Sequence, residues 1–144
     1  MPHPDATSAL NHLYYLMRRS FAAYSLEVRP VTFRGPEEMR ELLQRVAGEQ
    51  RLLAERIAEA IREQNGALEL GQFPIEFTAW NDVALPRILE RSIQLFGSGI
   101  ADAAAIAATD LPAPVYHFAR EVLHLTKRHV EMLENALAAK RGNA

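Results

Sequence analysis

The sequence predicts an all-α protein, four long helices arranged as two antiparallel hairpins with one long crossover between them. Three observations predict it. Four segments, near residues 7–28, 37–64, 82–109 and 114–140, repeat apolar residues at helical spacing. No stretch of any length has the strict alternation of a half-buried strand. The link from Asn65 to Asn81 is far longer than the other two connections.

Each element has its own start, stop and apolar face. The first helix is expected to begin at Thr7 or Ser8, whose hydroxyls suit a helix cap, and to pack Leu10, Leu13, Met17, Phe21, Tyr24 and Val28. The second starts at Pro36 followed by Glu37 and Glu38, acids that favour a helix N-terminus, and stops at Asn65-Gly66. Its inward residues are Met39, Leu42, Val46, Leu53, Ile57 and Ile61. Asn81 and Asp82 are the expected cap of the third, which packs Leu85, Leu89, Phe96, Ile100, Ala103 and Ala107. The fourth has Pro114 in its first turn and stops at Gly142. Its face is Val115, Phe118, Val122, Leu125, Met132, Leu133 and Ala136, with His129 at the centre.

Connection lengths then restrict topology. "RPVTFRG" and "DLPA" are short enough to require antiparallel neighbours. Fully extended, the middle link reaches on the order of 55 Å, whereas a helix of about 26 residues is about 39 Å long. It can therefore run the full height and leave helices two and three parallel, with Phe73, Ile75, Phe77 and Trp80 as apolar pegs across the side. The competing arrangement is an up-down bundle with this link packed over one end.

The composition limits the function classes. A chain of 144 residues is the size of one domain, taken as residues 1–144. Sixteen basic and eighteen acidic residues are mixed along it, so the charge gives no footprint for nucleic acid. With no cysteine, disulfides, thiolate metal sites and cysteine nucleophiles are excluded, and any metal would need histidines and carboxylates. No signal-peptide pattern or membrane-length apolar run is visible, so a cytoplasmic location without membrane attachment is the expectation. No phosphate loop, nucleophile elbow or dinucleotide fingerprint occurs, and "GSG" at Gly97–Gly99 lies inside a helical pattern with no strand before it.

The helix lengths and connections, together with "EQRLLAERIAEAI" from Glu49 and "TKRHVEMLENAL" from Thr126, resemble the ferritin-like superfamily in its rubrerythrin and bacterioferritin style. Both segments are similar to the family's Glu, two residues, His, three residues and an apolar one. The resemblance implies a di-metal centre with a carboxylate from each of helices one and three and a Glu-x-x-His from each of helices two and four. Turning about 100° per residue, the inward candidates reduce to Glu49 and His129. Leu52 stands at the His position that pairs with Glu49, Thr126 stands where His129 needs a carboxylate, and Ser20 is the polar residue closest to the helix-one position. Glu90 and Asp102 lie off the face of helix three.

Glu121 and His124 have tidy i, i+3 ligand spacing, yet the same rotation turns His124 to the wet side with His117, Arg128 and Glu131, and leaves Glu121 on the flank. Two readings follow for Glu49 and His129. One is a vestigial pair in which Glu49 is satisfied by His129, Arg45 or Arg56. The other is a reduced site for iron or another divalent metal that borrows Glu27, Tyr24 or a crossover group. Met17 and Met132 are read as core filler, and His117 with His124 as surface residues that could meet. A second apolar strip on helix one, Tyr15, Leu16, Ala22, Ala23 and Leu26, predicts a homodimer. The expected function is a non-catalytic, dimeric binding or structural module without cofactor, and the alternative is a metal-binding or redox protein.

Overall fold

A computed structural model describes residues 4–28, 34–80 and 83–142. Among these residues the chain is all-helical: α1 Pro4–Arg18, α2 Phe21–Val28, α3 Glu37–Glu63, a 3-10 helix Ile75–Trp80, α4 Leu85–Ala107 and α5 Ala113–Gly142. None of its helices is long and apolar enough to cross a membrane. The expected caps Asn81 and Asp82 and most of the first connection lie outside the described residues, as does the side chain of Val28.

The first expected helix is two helices. The ladder stops at Arg19, whose N–H still reaches Tyr15 O (2.9 Å), and restarts after Ser20. The Ser20 hydroxyl accepts the Ala23 N–H (3.1 Å), an N-cap for α2 placed in the middle of the apolar period. Periodicity alone missed the break because both halves share one buried face: Leu10, Leu13 and Met17 continue into Phe21 and Tyr24. At the start, α1 opens at Pro4, before Thr7 and Ser8.

Helix α3 follows its expected bounds. Its first turn holds Glu37 and Glu38, and it ends in a Schellman arrangement: Asn65 takes φ 60°, its N–H bonds Arg62 O (3.0 Å) and Gly66 N–H bonds Ile61 O (2.9 Å). Helix α4 starts at Leu85 with Pro86 in its first turn, and α5 runs from Ala113.

Contacts at the helix ends set the topology. Gln64 Nε2 donates to Thr7 Oγ1 (3.2 Å) and Asn11 Nδ2 to Ala67 O (2.8 Å), so α3 ends where α1 begins. The Leu85 N–H donates to Arg34 O (2.7 Å), so α4 starts beside the start of α3 and runs parallel to it. The link between them therefore travels the height of α3. Helix α5 returns antiparallel along α4, as Val115 packs near Ala103 and Leu133 near Leu89 require.

Two apolar clusters stack along this axis. One joins Leu10, Leu13, Met17, Leu53, Ile57, Ile61, Ala103 and Val122; the other joins Phe21, Met39, Leu43, Val46, Leu89, Phe96 and Leu133. The crossover is glued to the second by aromatic contacts: Phe77 lies 5.0 Å from Phe21 and 5.4 Å from Tyr24 between ring centres, and Phe73 lies 5.4 Å from Tyr24. Trp80 reaches Phe21 at 6.0 Å. Ile75, expected as a fourth peg, is 79% exposed, because the 3-10 turn points Phe77 inward and leaves Ile75 on the outer side.

Candidate functional site

Between the two clusters every long helix changes character. From Met17 to Phe21 the break places Ser20; from Val46 to Leu53, α3 places Gln50; from Phe96 to Ala103, α4 has Gly99; from Leu123 to Leu133, α5 has Thr126 and His129. Ser20, Gln50, Thr126 and His129 are all buried, so the middle of the molecule is a polar seam in an apolar core.

His129 is 0% exposed and meets Glu49 at 2.7 Å through Nε2, joining the two candidates expected to converge. An ionised carboxylate only accepts, so Nε2 carries the proton and Nδ1 is the bare nitrogen. Nδ1 has no hydrogen-bond partner among the described residues. Protonating it would bury an unsatisfied N–H and a charge. Accordingly burial pushes the His129 pKa below its ordinary 6.5, against the opposing pull of the Glu49 hydrogen bond and charge. Glu49 is held below its ordinary 4.5, first by the His129 hydrogen bond, against which burial pulls upward, and then by the charges of Arg128 and Arg45.

Glu49 is only half turned inward, with 29% of its side chain exposed. Its outer side meets Arg128 (3.4 Å) and Arg45 (3.6 Å). Arg56, the other cation considered for it, is instead forked onto Glu121 at 2.6 and 3.1 Å. Glu121 and His124 accordingly line a surface groove between α3 and α5 whose lining also includes the outer side of Glu49 and Arg128, while His129 stays buried behind it. Glu27 is taken by Arg18 at 2.7 Å, and Tyr24 packs in the aromatic cluster.

The inward i, i+3 pair of α3 is Gln50 and Leu53, one residue on from the expected Glu49 and Leu52. Leu52 is 63% exposed, whereas Gln50 is 1% exposed. Gln50 sits four residues after Val46 and seven before Ile57, a signal present in the sequence but hidden by the attention a glutamate draws. Its Oε1 accepts from the Ser20 hydroxyl at 2.6 Å. Because Ser20 Oγ already accepts from Ala23, its own proton is free for this bond. Thr126 turns its hydroxyl back onto Val122 O (2.7 Å). The four buried polar positions of the seam thus hold a serine, a glutamine, a threonine and a histidine.

As a metal site this set does not fit. Among the described residues no three His, Asp or Glu side chains converge to hold an ion. A divalent cation at Glu49 would face the guanidinium groups of Arg45 and Arg128, which already neutralise the carboxylate.

Beside the seam lies a cavity of about 380 Å³. Ser20, Gln50 and Thr126 form its polar floor; Leu16, Met17, Phe21, Leu95 and Phe96 form its apolar sides; Pro74, Glu76, Phe77 and Trp80 of the crossover line it from the side and leave it partly open. Gly99 also lines it, and a Cβ there would come no nearer than 3.8 Å to Leu16, so the missing side chain widens the cavity. The "GSG" segment is continuous helix. Of the helix-one strip, Tyr15 and Leu16 line this cavity, Ala22 and Ala23 are buried and Leu26 is partly buried.

No family model, no curated protein and no solved structure matches this chain.

Proposed function

We propose that this chain is a ferritin-like four-helix bundle without a di-metal centre, acting as a non-catalytic module that binds a small ligand in its interior cavity. The observation that carries the reading is the seam. At the height where the family would gather carboxylates and histidines, the residues are Ser20, Gln50, Thr126 and His129, beside a partly open cavity. The antiparallel hairpins and the parallel α3 and α4 support the ferritin-like connectivity. A volume above about 300 Å³ with apolar walls and a few polar groups is the usual make-up of a small-molecule site.

The competing reading is a reduced metal site on Glu49 and His129, favoured by their 2.7 Å approach. Elemental analysis of untagged protein after loading with Fe(II), Mn(II) or Zn(II) separates the two. Background metal is the expected outcome; stoichiometric metal that is lost in both Glu49→Ala and His129→Ala would overturn the proposal. The homodimer through Tyr15, Leu16, Ala23 and Leu26 is a separate part of it. None of the four is exposed in the single chain, so pairing there requires the strip to be uncovered. Light scattering that gives the 16.1 kDa mass of one chain would remove the dimer and leave the binding module standing.

A further inference from the structure

The lining of the cavity is unequal in donors and acceptors. Two of the residues that line it, Gln50 and Arg91, each carry a buried nitrogen, Nε2 and Nε, that has no hydrogen-bond partner among the described residues. Such a group is costly to bury unless something accepts from it. Among the described residues the charges of the lining tilt the same way, Arg19 and Arg91 against Glu76. Both guanidinium groups are already oriented by aromatic rings of the crossover, Arg19 over Phe73 at 4.9 Å and Arg91 over Trp80 at 5.5 Å. A third ring-held cation, Arg87 over Trp80 at 5.6 Å, pairs with Glu90 and does not line the cavity.

An occupant complementary to this lining needs an apolar body for Leu16, Met17, Phe21, Leu95 and Phe96, hydrogen-bond acceptors rather than donors, and one negative charge. Resting on the binding-module reading above, we propose that the cavity takes an apolar monocarboxylate. The carboxylate accepts from Arg91 at the crossover wall, the chain or ring lies along the apolar sides, and an acceptor that reaches the floor meets Gln50 Nε2. Cationic amphiphiles are disfavoured, since among the described residues Glu76 is the only carboxylate in the lining and is itself exposed.

Trp80 is the single tryptophan of the chain and stands in the cavity wall, so its emission reports occupancy directly. Decanoate, decanol and decyltrimethylammonium, each titrated below its micellar concentration, should give saturable Trp80 changes with decanoate tightest and decanol weaker by about tenfold, the value of one charge-assisted hydrogen bond. Arg91→Met should bring decanoate and decanol to parity, with circular dichroism unchanged. Glu76→Gln, an exposed position that does not threaten the fold, should tighten decanoate and leave decanol as it was. Equal binding of decanoate and decanol to the wild-type chain overturns the carboxylate inference and leaves the binding module intact. Saturation by none of the three probes overturns both.

Discussion

His129 couples the core to pH. A histidine whose pKa falls on folding keeps fewer protons in the folded than in the unfolded chain between its two values, so its contribution is complete above 6.5 and is lost as pH falls through the folded value. Glu49, lowered from 4.5, contributes above that value and loses its contribution in more acid solution. Both slopes have one sign: stability should hold from pH 7.5 to about 6.5 and weaken from there to pH 4. Urea midpoints across that range check it. His129→Gln keeps an amide N–H for Glu49 but does not titrate, so the decline that begins near pH 6.5 should flatten in this variant. Ser20 is the second residue on which much rests, being both the cap of α2 and the donor to Gln50. Ser20→Ala should cost about 1–2 kcal/mol in denaturant unfolding, a lost cap plus an acceptor left buried.

Among the elements, the link between α3 and α4 has a constrained backbone at Gly71. At Gly71 φ is +65° and an added Cβ would stand 2.9 Å from Tyr15 Cδ2, so the chain passes here in a left-handed turn against a ring of α1. Gly97 is the opposite case, a glycine inside α4 with nothing within 4 Å of an added Cβ. Gly71→Ala should destabilise by about 1 kcal/mol or more, and Gly97→Ala should stabilise by about 0.5–1 kcal/mol. Thermal melts of the two variants should therefore move in opposite directions. The pairing of Glu121 with Arg56 illustrates the same level: the carboxylate of an i, i+3 Glu and His on one helix is taken up by an interhelical ion pair that faces water.

For the whole molecule, the crossover is what encloses the seam. Phe77 is its buried anchor, touching Phe21 and Tyr24, and the cavity opens if it is lost. Phe77→Ala should cost about 3 kcal/mol, roughly 10 °C in Tm for a chain of this size. In the same variant Trp80 emission should shift to the red, because the wall it belongs to is no longer held. The aromatic contacts of the link all fall on α2, the short helix set free by the break at Ser20. The break that periodicity overlooked thus has a place in the architecture: it turns Phe21 and Tyr24 toward the link while Ser20 turns toward Gln50.

By itself the sequence determined that the chain is helical, where α3, α4 and α5 lie to within a few residues, that His129 faces inward and that Glu121 and His124 do not face it. These follow from local spacing, since a period of 3.6 residues decides which side chains share a face. It also carried the parallel course of α3 and α4, through the length of one link. Only the tertiary structure decided the rest. The division of the first helix depends on a serine hydroxyl finding both Ala23 and, thirty residues away, Gln50. The choice of Gln50 over Glu49 as the inward residue depends on which side of α3 meets α1 and α5, and Glu49 is drawn outward by Arg45 and Arg128. The cavity belongs to no element, for it is the space left where Ser20, Gln50, Gly99 and Thr126 meet the crossover, and that space exists only once the helices have packed.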